Sequence, residues 1–326
     1  MTAASPWQRL YATAHRWRAR WYAGRAKRLP RPAVSLGNLH WGGTGKTPLV
    51  AAVAARLRDR GLSVAVLSRG YGRSTRGPLL VSRGDGPEVD PWRAGEEPFL
   101  LAEQLPGVAV VVAERRHAGG LLALAELARP PDLFVLDDAF SHLALARDLD
   151  LLVLPAADPL AGGKLPPAGR LREPLAAAGR AHALLLTGAG AAPEAAREVA
   201  RELRCFGFTG PAFAAPTRVA APRLAAGDDP GREAGLLLVT GIARPERVRQ
   251  AAEALGLALR GHLAYPDHHP YPPQSVGEIT ARCRELGALA VLTTAKDRVK
   301  LAGRLPLPLF ELPLEVAPEE AFWSWL

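Results

Sequence analysis

Gly45-Lys46-Thr47 closes a glycine-rich turn, Gly42-Gly43-Thr44, and the helical spacing of Leu49, Val50, Val53 and Leu57 begins directly after it. A short apolar run, Val34-Ser-Leu-Gly37, stands before the turn. Strand, glycine loop and helix, in that order, form the context of a phosphate-binding P-loop. Glycines let successive backbone N–H groups converge on phosphate oxygens, and the start of the following helix adds partial positive charge. In that reading Lys46 reaches the β- and γ-phosphates and the Thr47 hydroxyl ligates Mg²⁺. The nucleotide loop then comprises His40, Trp41, Gly42, Gly43, Thr44, Gly45, Lys46 and Thr47. His40 stands where the P-loop consensus has a glycine, so a plain glycine turn capping a helix is the competing reading.

Four further groups could carry chemistry. The apolar run Leu133-Phe-Val-Leu136 ends in Asp137-Asp138, the place for a Walker B carboxylate near Mg²⁺. Two acids capping a turn would look the same. Glu96-Glu97, after Gly95 and before Pro98, opens a helix, where the helix dipole alone favours carboxylates. The functional alternative is a pair able to deprotonate a hydroxyl or hold a metal. Asp267-His268-His269 lies between Pro266 and Pro270 and suits acid–base work better than a zinc site, because no third ligand cluster accompanies it. Thr293-Thr-Ala-Lys296-Asp297 with Lys300 follows a strand and either brings a lysine to an anion or caps a helix. The arginine-bearing turns Ser68-Arg69-Gly70-Tyr71-Gly72 and Gly169-Arg170-Leu-Arg172 either bind phosphate or anchor loops.

Apolar runs predict strands at 33–37, 63–68, 107–113, 132–137, 149–154 and 182–187, alternating with helices at 46–60, 96–105, 115–129 and 192–204. Continuous apolar strands separated by helices predict an α/β fold, a parallel sheet covered on both faces, with ligands at the carboxyl ends of its strands. The pattern dissolves into Gly, Pro and Ala across 205–235, read as a linker with a ribbon of β structure. A second α/β unit follows: strand 236–240, helices 245–256 and 273–287, and strands 289–293 and 308–312. The expected organisation is therefore an N-terminal segment 1–31, a P-loop core 32–204, a linker 205–235 and a smaller α/β domain 236–326.

Composition bounds the setting. Hydrophobic content of 48% and charged content of 22% suit a soluble globular chain. Cys205 and Cys283 show no metal-ligand spacing and point to a reducing compartment. No apolar run reaches transmembrane length, and the start of the chain lacks the apolar region of a signal peptide. The net charge is +9, yet eight basic residues and no acid fall within 1–31. Trp7, Leu10, Tyr11, Ala14, Trp17 and Trp21 recur there at helical spacing. A basic helix with an aromatic face suits an anionic membrane interface. A helix docked on its own domain and a nucleic-acid contact compete, the latter without any recognition signature in support.

In order along the chain, these motifs resemble the tetraacyldisaccharide 4′-kinase family of lipid A biosynthesis. The residues that carry the likeness are Gly37-Asn38-Leu39 with Gly42 to Pro48, Ser68 to Gly72, Gly95 to Pro98, Asp137-Asp138 with His142, Arg147-Asp148, Leu165 to Pro174, Asp267 to His269, and Thr294 to Asp297 with Lys300. The resemblance implies ATP- and Mg²⁺-dependent phosphorylation of the 4′-hydroxyl of a tetraacylated glucosamine disaccharide 1-phosphate, giving lipid IVA. It implies a monomeric, peripheral enzyme on the cytoplasmic face of the inner membrane. Its two α/β domains close over ATP, and no nucleic acid takes part. By position, Lys46 and Asp138 join the catalytic set, Thr47, Glu97 and Asp137 hold the metal, and His268 works with the base. That family usually reads Gly-Asp-Glu-Pro; here Glu96 stands at the base position, one methylene longer. It does not keep the glycine replaced by His40 either. The rival functions are a P-loop switch or chaperone acting on a protein partner, and a catalytically decayed membrane-binding homologue.

Overall fold

Apolar β-branched and leucine-rich runs form the strands of the first unit: β1 (Ala33–Gly37), β2 (Val64–Ser68), β3 (Leu79–Ser82), β4 (Ala109–Val112), β5 (Leu133–Asp137), β6 (Leu149–Pro155), β7 (Ala183–Thr187) and β8 (Ala212–Ala215). They make one sheet in the order β3-β4-β2-β5-β1-β6-β7-β8. Only β3 runs antiparallel, at one edge. The computed structural model describes residues 6–41, 45–231 and 234–326. The chain divides into two compact units, Met1–Arg218 with Val316–Leu326, and Val219–Glu315.

Both faces of the first sheet are covered, and the period of two along each strand assigns side chains to faces. Leu36, Val64, Val66, Val110, Val112 and Val135 pack beneath α2 (Lys46–Asp59) and α4 (Glu96–Gln104). The alternate residues Ala65, Leu67, Val111, Phe134 and Leu136 pack on the opposite side with Ala123 of α5 (Arg116–Glu126). The short helix α3 (Pro91–Ala94) leads into α4, and α6 (Pro193–Leu203) packs between β7 and β8. Helix α10 (Glu320–Trp325), at the far end of the chain, buries Phe322 in the core of this first unit.

The sheet centre positions the chemistry. β1 pairs with β5 and with β6, and Leu36 lies opposite Asp137. β2 pairs with the other edge of β5. The carboxyl ends of β1, β2 and β5 therefore emerge side by side, where open α/β sheets bind ligands.

Helix α1 (Pro6–Tyr22) departs from a simple one-faced helix. Tyr11 and Ala12 pack against the apolar cluster around Leu39, Leu165 and Leu171. Trp7, Leu10, Trp17 and Trp21 are exposed. Thus Tyr11, grouped with the tryptophans by spacing alone, turns inward. No helix among the described residues is long and apolar enough to cross a membrane.

The second unit has its own parallel sheet. Strands β10 (Arg223–Ala226), β11 (Leu236–Thr240), β12 (Leu259–Ala264), β13 (Ala290–Thr294) and β14 (Leu309–Leu312) lie in the order β10-β14-β13-β11-β12, with β10 antiparallel. Helices α7 (Pro245–Ala254), α8 (Pro273–Leu286) and α9 (Ala295–Leu301) connect them. Short strands β9 (Thr217–Val219) and β15 (Leu314–Val316) mark the two passages of the chain between units. The segment 205–235, read as a linker, instead supplies β8 to the first sheet and β10 to the second. Both are edge strands of four residues whose Ala and Arg content hides a β pattern. The last eleven residues, assigned by sequence to the smaller domain, return to the first unit.

Candidate active site

Lys46 is the first residue of α2, and Gly45, in the left-handed conformation, caps the helix. The Lys46 ammonium lies 3.3 Å from an Asp138 carboxylate oxygen. Asp138 also accepts a 2.9 Å hydrogen bond from Arg172. Burial works to raise the Asp138 carboxyl, but Lys46 and Arg172 outweigh it and hold the group below the usual carboxylate range. Asp138 therefore stays ionised beside Lys46. Thr47 is the second residue of α2, half-buried beside Lys46. Gly42, Gly43 and Thr44 lie outside the described residues.

Arg172 supports the loop from the side. Its backbone N–H donates to the Leu39 carbonyl at 2.6 Å, and Trp41 N–H donates to the Arg170 carbonyl at 2.8 Å. The Arg172 guanidinium sits 5.0 Å from the centre of the exposed Trp41 ring. His40 is buried, and burial lowers its ring below the usual histidine range against a raising interaction with the Asp158 backbone. A glycine consensus position is thus filled by a neutral, packed imidazole.

Asp137 ends β5 and is buried. Ser68, at the end of β2, donates to its Oδ2 at 2.9 Å, while Arg116 donates to its backbone carbonyl at 3.2 Å. Its Oδ1 accepts no hydrogen bond among the described residues. Burial and the nearby charges of Glu97 and Asp138 push its carboxyl up to about 6. Gathered acids with an unsatisfied buried oxygen fit a divalent cation, whose charge removes the repulsion. No set of three His, Cys, Asp or Glu side chains converges as a complete metal cage among the described residues.

Glu96 and Glu97 occupy the first turn of α4, both half-buried. Gly95 enters that turn at φ 91° and ψ 148°. A Cβ there would meet the Tyr71 carbonyl oxygen at 3.1 Å and the Gly70 backbone at 3.2 Å. Backbone conformation and close approach together require glycine, and bring the Ser68–Tyr71 turn beside the carboxylates. Arg116 escaped the sequence reading: an arginine opening a helix carries no distinctive signal, yet it is buried and backs Asp137. His142, in the same loop as Asp138, is lowered to about 4 by burial and by Arg116, Arg147 and other arginines, so it is neutral at physiological pH.

In the second unit, His268 follows β12 with its side chain exposed and its backbone left-handed at φ 60°. Its Nε2 lies 3.8 Å from an Asp267 carboxylate oxygen. The first unit thus gathers Lys46, Thr47, Glu96, Glu97, Asp137 and Asp138 around three strand ends, and the second carries His268.

Comparison with known proteins agrees over the whole chain. The family model described as LpxK, tetraacyldisaccharide-1-P 4′-kinase, matches residues 2–326. Tetraacyldisaccharide 4′-kinase of Anaeromyxobacter sp. (strain Fw109-5) is 45% identical over 277 residues, covering 83% of this chain and 74% of that protein. Its counterpart from Pelobacter propionicus is 40% identical over 312 residues, 91% and 82% of the two chains. A crystal structure of LpxK from Aquifex aeolicus in complex with ATP superposes with a TM-score of 0.77 at 34% identity, covering 98% of this chain and 95% of that one.

Proposed function

This chain belongs to the tetraacyldisaccharide-1-P 4′-kinase family, and we propose that it transfers the γ-phosphoryl group of ATP to the 4′-hydroxyl of a tetraacylated glucosamine disaccharide 1-phosphate, giving lipid IVA. The observation that carries the reading is the meeting of Lys46, at the start of α2, with Asp138, just past the end of β5, in a chain matched along its length by one kinase family.

The residues take the following parts. Lys46 leaves Asp138 for the more densely charged triphosphate, cradled by His40, Trp41, Gly42, Gly43, Thr44, Gly45 and Thr47. Thr47, Glu97 and Asp137 would hold Mg²⁺, which when bound neutralises charge on the β- and γ-phosphates. Glu96 takes the proton of the sugar hydroxyl, assisted by His268, as that oxygen bonds to the γ-phosphorus and the bond to the β-phosphate oxygen breaks. Asp138 holds Lys46 before nucleotide arrives, and Arg172 remains its partner afterwards. Glu96 takes the place of the family's aspartate from the first turn of α4, which Gly95 precedes.

We assign α1 to the anionic surface of the inner membrane on its cytoplasmic face, where a monomer meets its acylated substrate. Its exposed Trp7, Leu10, Trp17 and Trp21 suit the interface, and its arginines suit anionic headgroups. The deciding experiment is phosphate transfer from labelled ATP to the acylated disaccharide in detergent. Wild type should phosphorylate the lipid, and Lys46→Ala should lose on the order of 10²–10³ in kcat, the scale of one transition-state charge contact. Vigorous ATP hydrolysis without lipid phosphorylation would overturn the kinase reading in favour of a nucleotide switch.

A further inference from the structure

Of the two readings of Thr294-Ala-Lys-Asp297 with Lys300, the helix cap is formed, and Lys300 is buried against Asp297. Thr294 caps α9, its hydroxyl accepting from the Asp297 N–H and donating to Asp297 Oδ2 at 2.8 Å. Asp297 is fully buried, and its Oδ1 lies 3.2 Å from the equally buried Lys300 ammonium. Replacing a buried ion pair by apolar residues often leaves stability unchanged or improves it, so stability alone is a weak reason for this one.

Its connections point elsewhere. Asp297 Oδ2 accepts the Gly241 N–H at 2.9 Å. The carbonyl of Gly241 in turn accepts the backbone N–H of His268 at 3.0 Å. A Cβ on Gly241 would meet the Tyr271 hydroxyl at 2.8 Å and Asp297 Oδ1 at 2.9 Å, so this residue is clamped between the buried carboxylate and the histidine loop. Within that loop His268 and Tyr271 are both left-handed, at φ 60° and 49°. For a residue as bulky as tyrosine this is an unusual backbone state, held only where the surroundings determine it. Lys300 lies 5.3 Å from the centre of the Tyr271 ring. One ion pair thus grips both the Gly241 peptide and the far end of the loop.

We propose that Asp297 and Lys300 are positioning residues for His268, acting through the backbone of Gly241. The inference rests on the reading of His268 as assistant to the base. Asp297 holds the Gly241 N–H, on the peptide from Thr240. The carbonyl on the following peptide accepts the His268 amide, so the hold passes through the backbone of Gly241. Lys300 holds Asp297 in the rotamer that provides it. Phosphoryl transfer is sensitive to such placement, and a displacement near 1 Å can cost about 10²-fold in rate.

The test is a double-mutant cycle of Asp297→Asn and Lys300→Met, each made with His268 present and with His268→Ala. Each should lower kcat by about tenfold to a hundredfold with His268 present. The KM for ATP should stay within about twofold, since the P-loop lies in the first unit. With alanine at 268 the same substitutions should change kcat less than about twofold, because the group they position is gone. Lys300→Arg should restore most of the rate. Amide hydrogen exchange at residue 268 should accelerate in Asp297→Asn and Lys300→Met. Equal losses in both backgrounds, or unchanged exchange at the His268 amide, would overturn the positioning role. Wild-type kcat in His268→Ala alone overturns the reading of His268 instead, and the exchange measurement then still reports whether the linkage to Asp297 exists. Lys300→Met leaves the Asp297 carboxylate and its partners Gly241 and Thr294 unchanged in identity and removes only the charge that orients it, so it carries the test should Asp297→Asn fail to fold.

Discussion

Asp137 and Asp138 are adjacent in sequence and opposite in electrostatic fate. Asp138 faces Lys46 and Arg172 and is held ionised; Asp137 faces inward toward Glu97 and is pushed up to about 6. A carboxyl raised in the folded state binds more protons than in the unfolded chain at intermediate pH. Its contribution to stability is therefore full below the unfolded value and is lost as pH rises through about 6. Mg²⁺ held by Asp137, as proposed, would work in the opposite direction, because it needs the ionised carboxylate. Mg²⁺ should thus raise the melting temperature more near pH 7.5 than near pH 5, and Asp137→Asn should remove the difference. Equal Mg²⁺ shifts at both pH values in the wild type would mean that Asp137 does not hold the ion. Glu96 makes a different prediction. Glu96→Gln should lower kcat by about 10²–10⁴, the usual worth of a general base, with the KM for ATP little changed. A rate loss confined to KM would assign Glu96 to binding rather than proton transfer.

Helix α1 docks on the first unit by one face and leaves its tryptophans exposed. Its inward face is fixed by Tyr11, whose hydroxyl donates to the Arg172 carbonyl at 3.0 Å, and by Arg18, which donates to the Ser141 carbonyl at 2.8 Å. Its outward face leaves Arg9, Arg16 and Arg20 exposed among the tryptophans. Replacing those three arginines with glutamine should weaken partitioning to anionic vesicles by about a hundredfold, at about 1 kcal/mol for each charge near the surface. Cosedimentation measures this, and added salt should erode the wild-type advantage; partitioning that ignores both would refute the membrane assignment. The Lys46, Asp137 and Glu96 motifs stood out because residue type falls at a strand end or helix start, and His268 stood out as part of Asp-His-His between two prolines. Their supports did not. Arg116 backing Asp137, Tyr11 on Arg172 and Asp297 on Gly241 join residues 21, 161 and 56 positions apart. Local periodicity carries no information at that range. Strand β12 was missed for a related reason: Leu259-Arg-Gly-His-Leu-Ala264 is a half-exposed edge strand without a continuous apolar run.

At the scale of the molecule, the chain's ends belong together although its middle leaves. The first unit is completed by Val316–Leu326, after an excursion of nearly a hundred residues through the second. Phe322 is fully buried there, its ring 5.6 Å from that of Phe213 in an edge-on contact. Arg56 of α2 lies 5.7 Å from the Trp323 ring, so the terminal helix also touches the helix that begins with Lys46. Each unit has a core of its own, and two thermal transitions are expected rather than one. A non-hydrolysable ATP analogue at about a hundred times its Kd should add about 2.7 kcal/mol to the state that binds it. It should therefore raise the transition of the unit that contains the P-loop. Phe322→Ala should lower that same transition, at about 3–5 kcal/mol for a large-to-small change in a packed core. The other transition should stay in place, even though residue 322 is far closer in sequence to the second unit than to Lys46. Calorimetry with and without the analogue assigns the transitions. If the substitution moved only the transition that the nucleotide leaves untouched, the terminal helix would belong to the second unit's core.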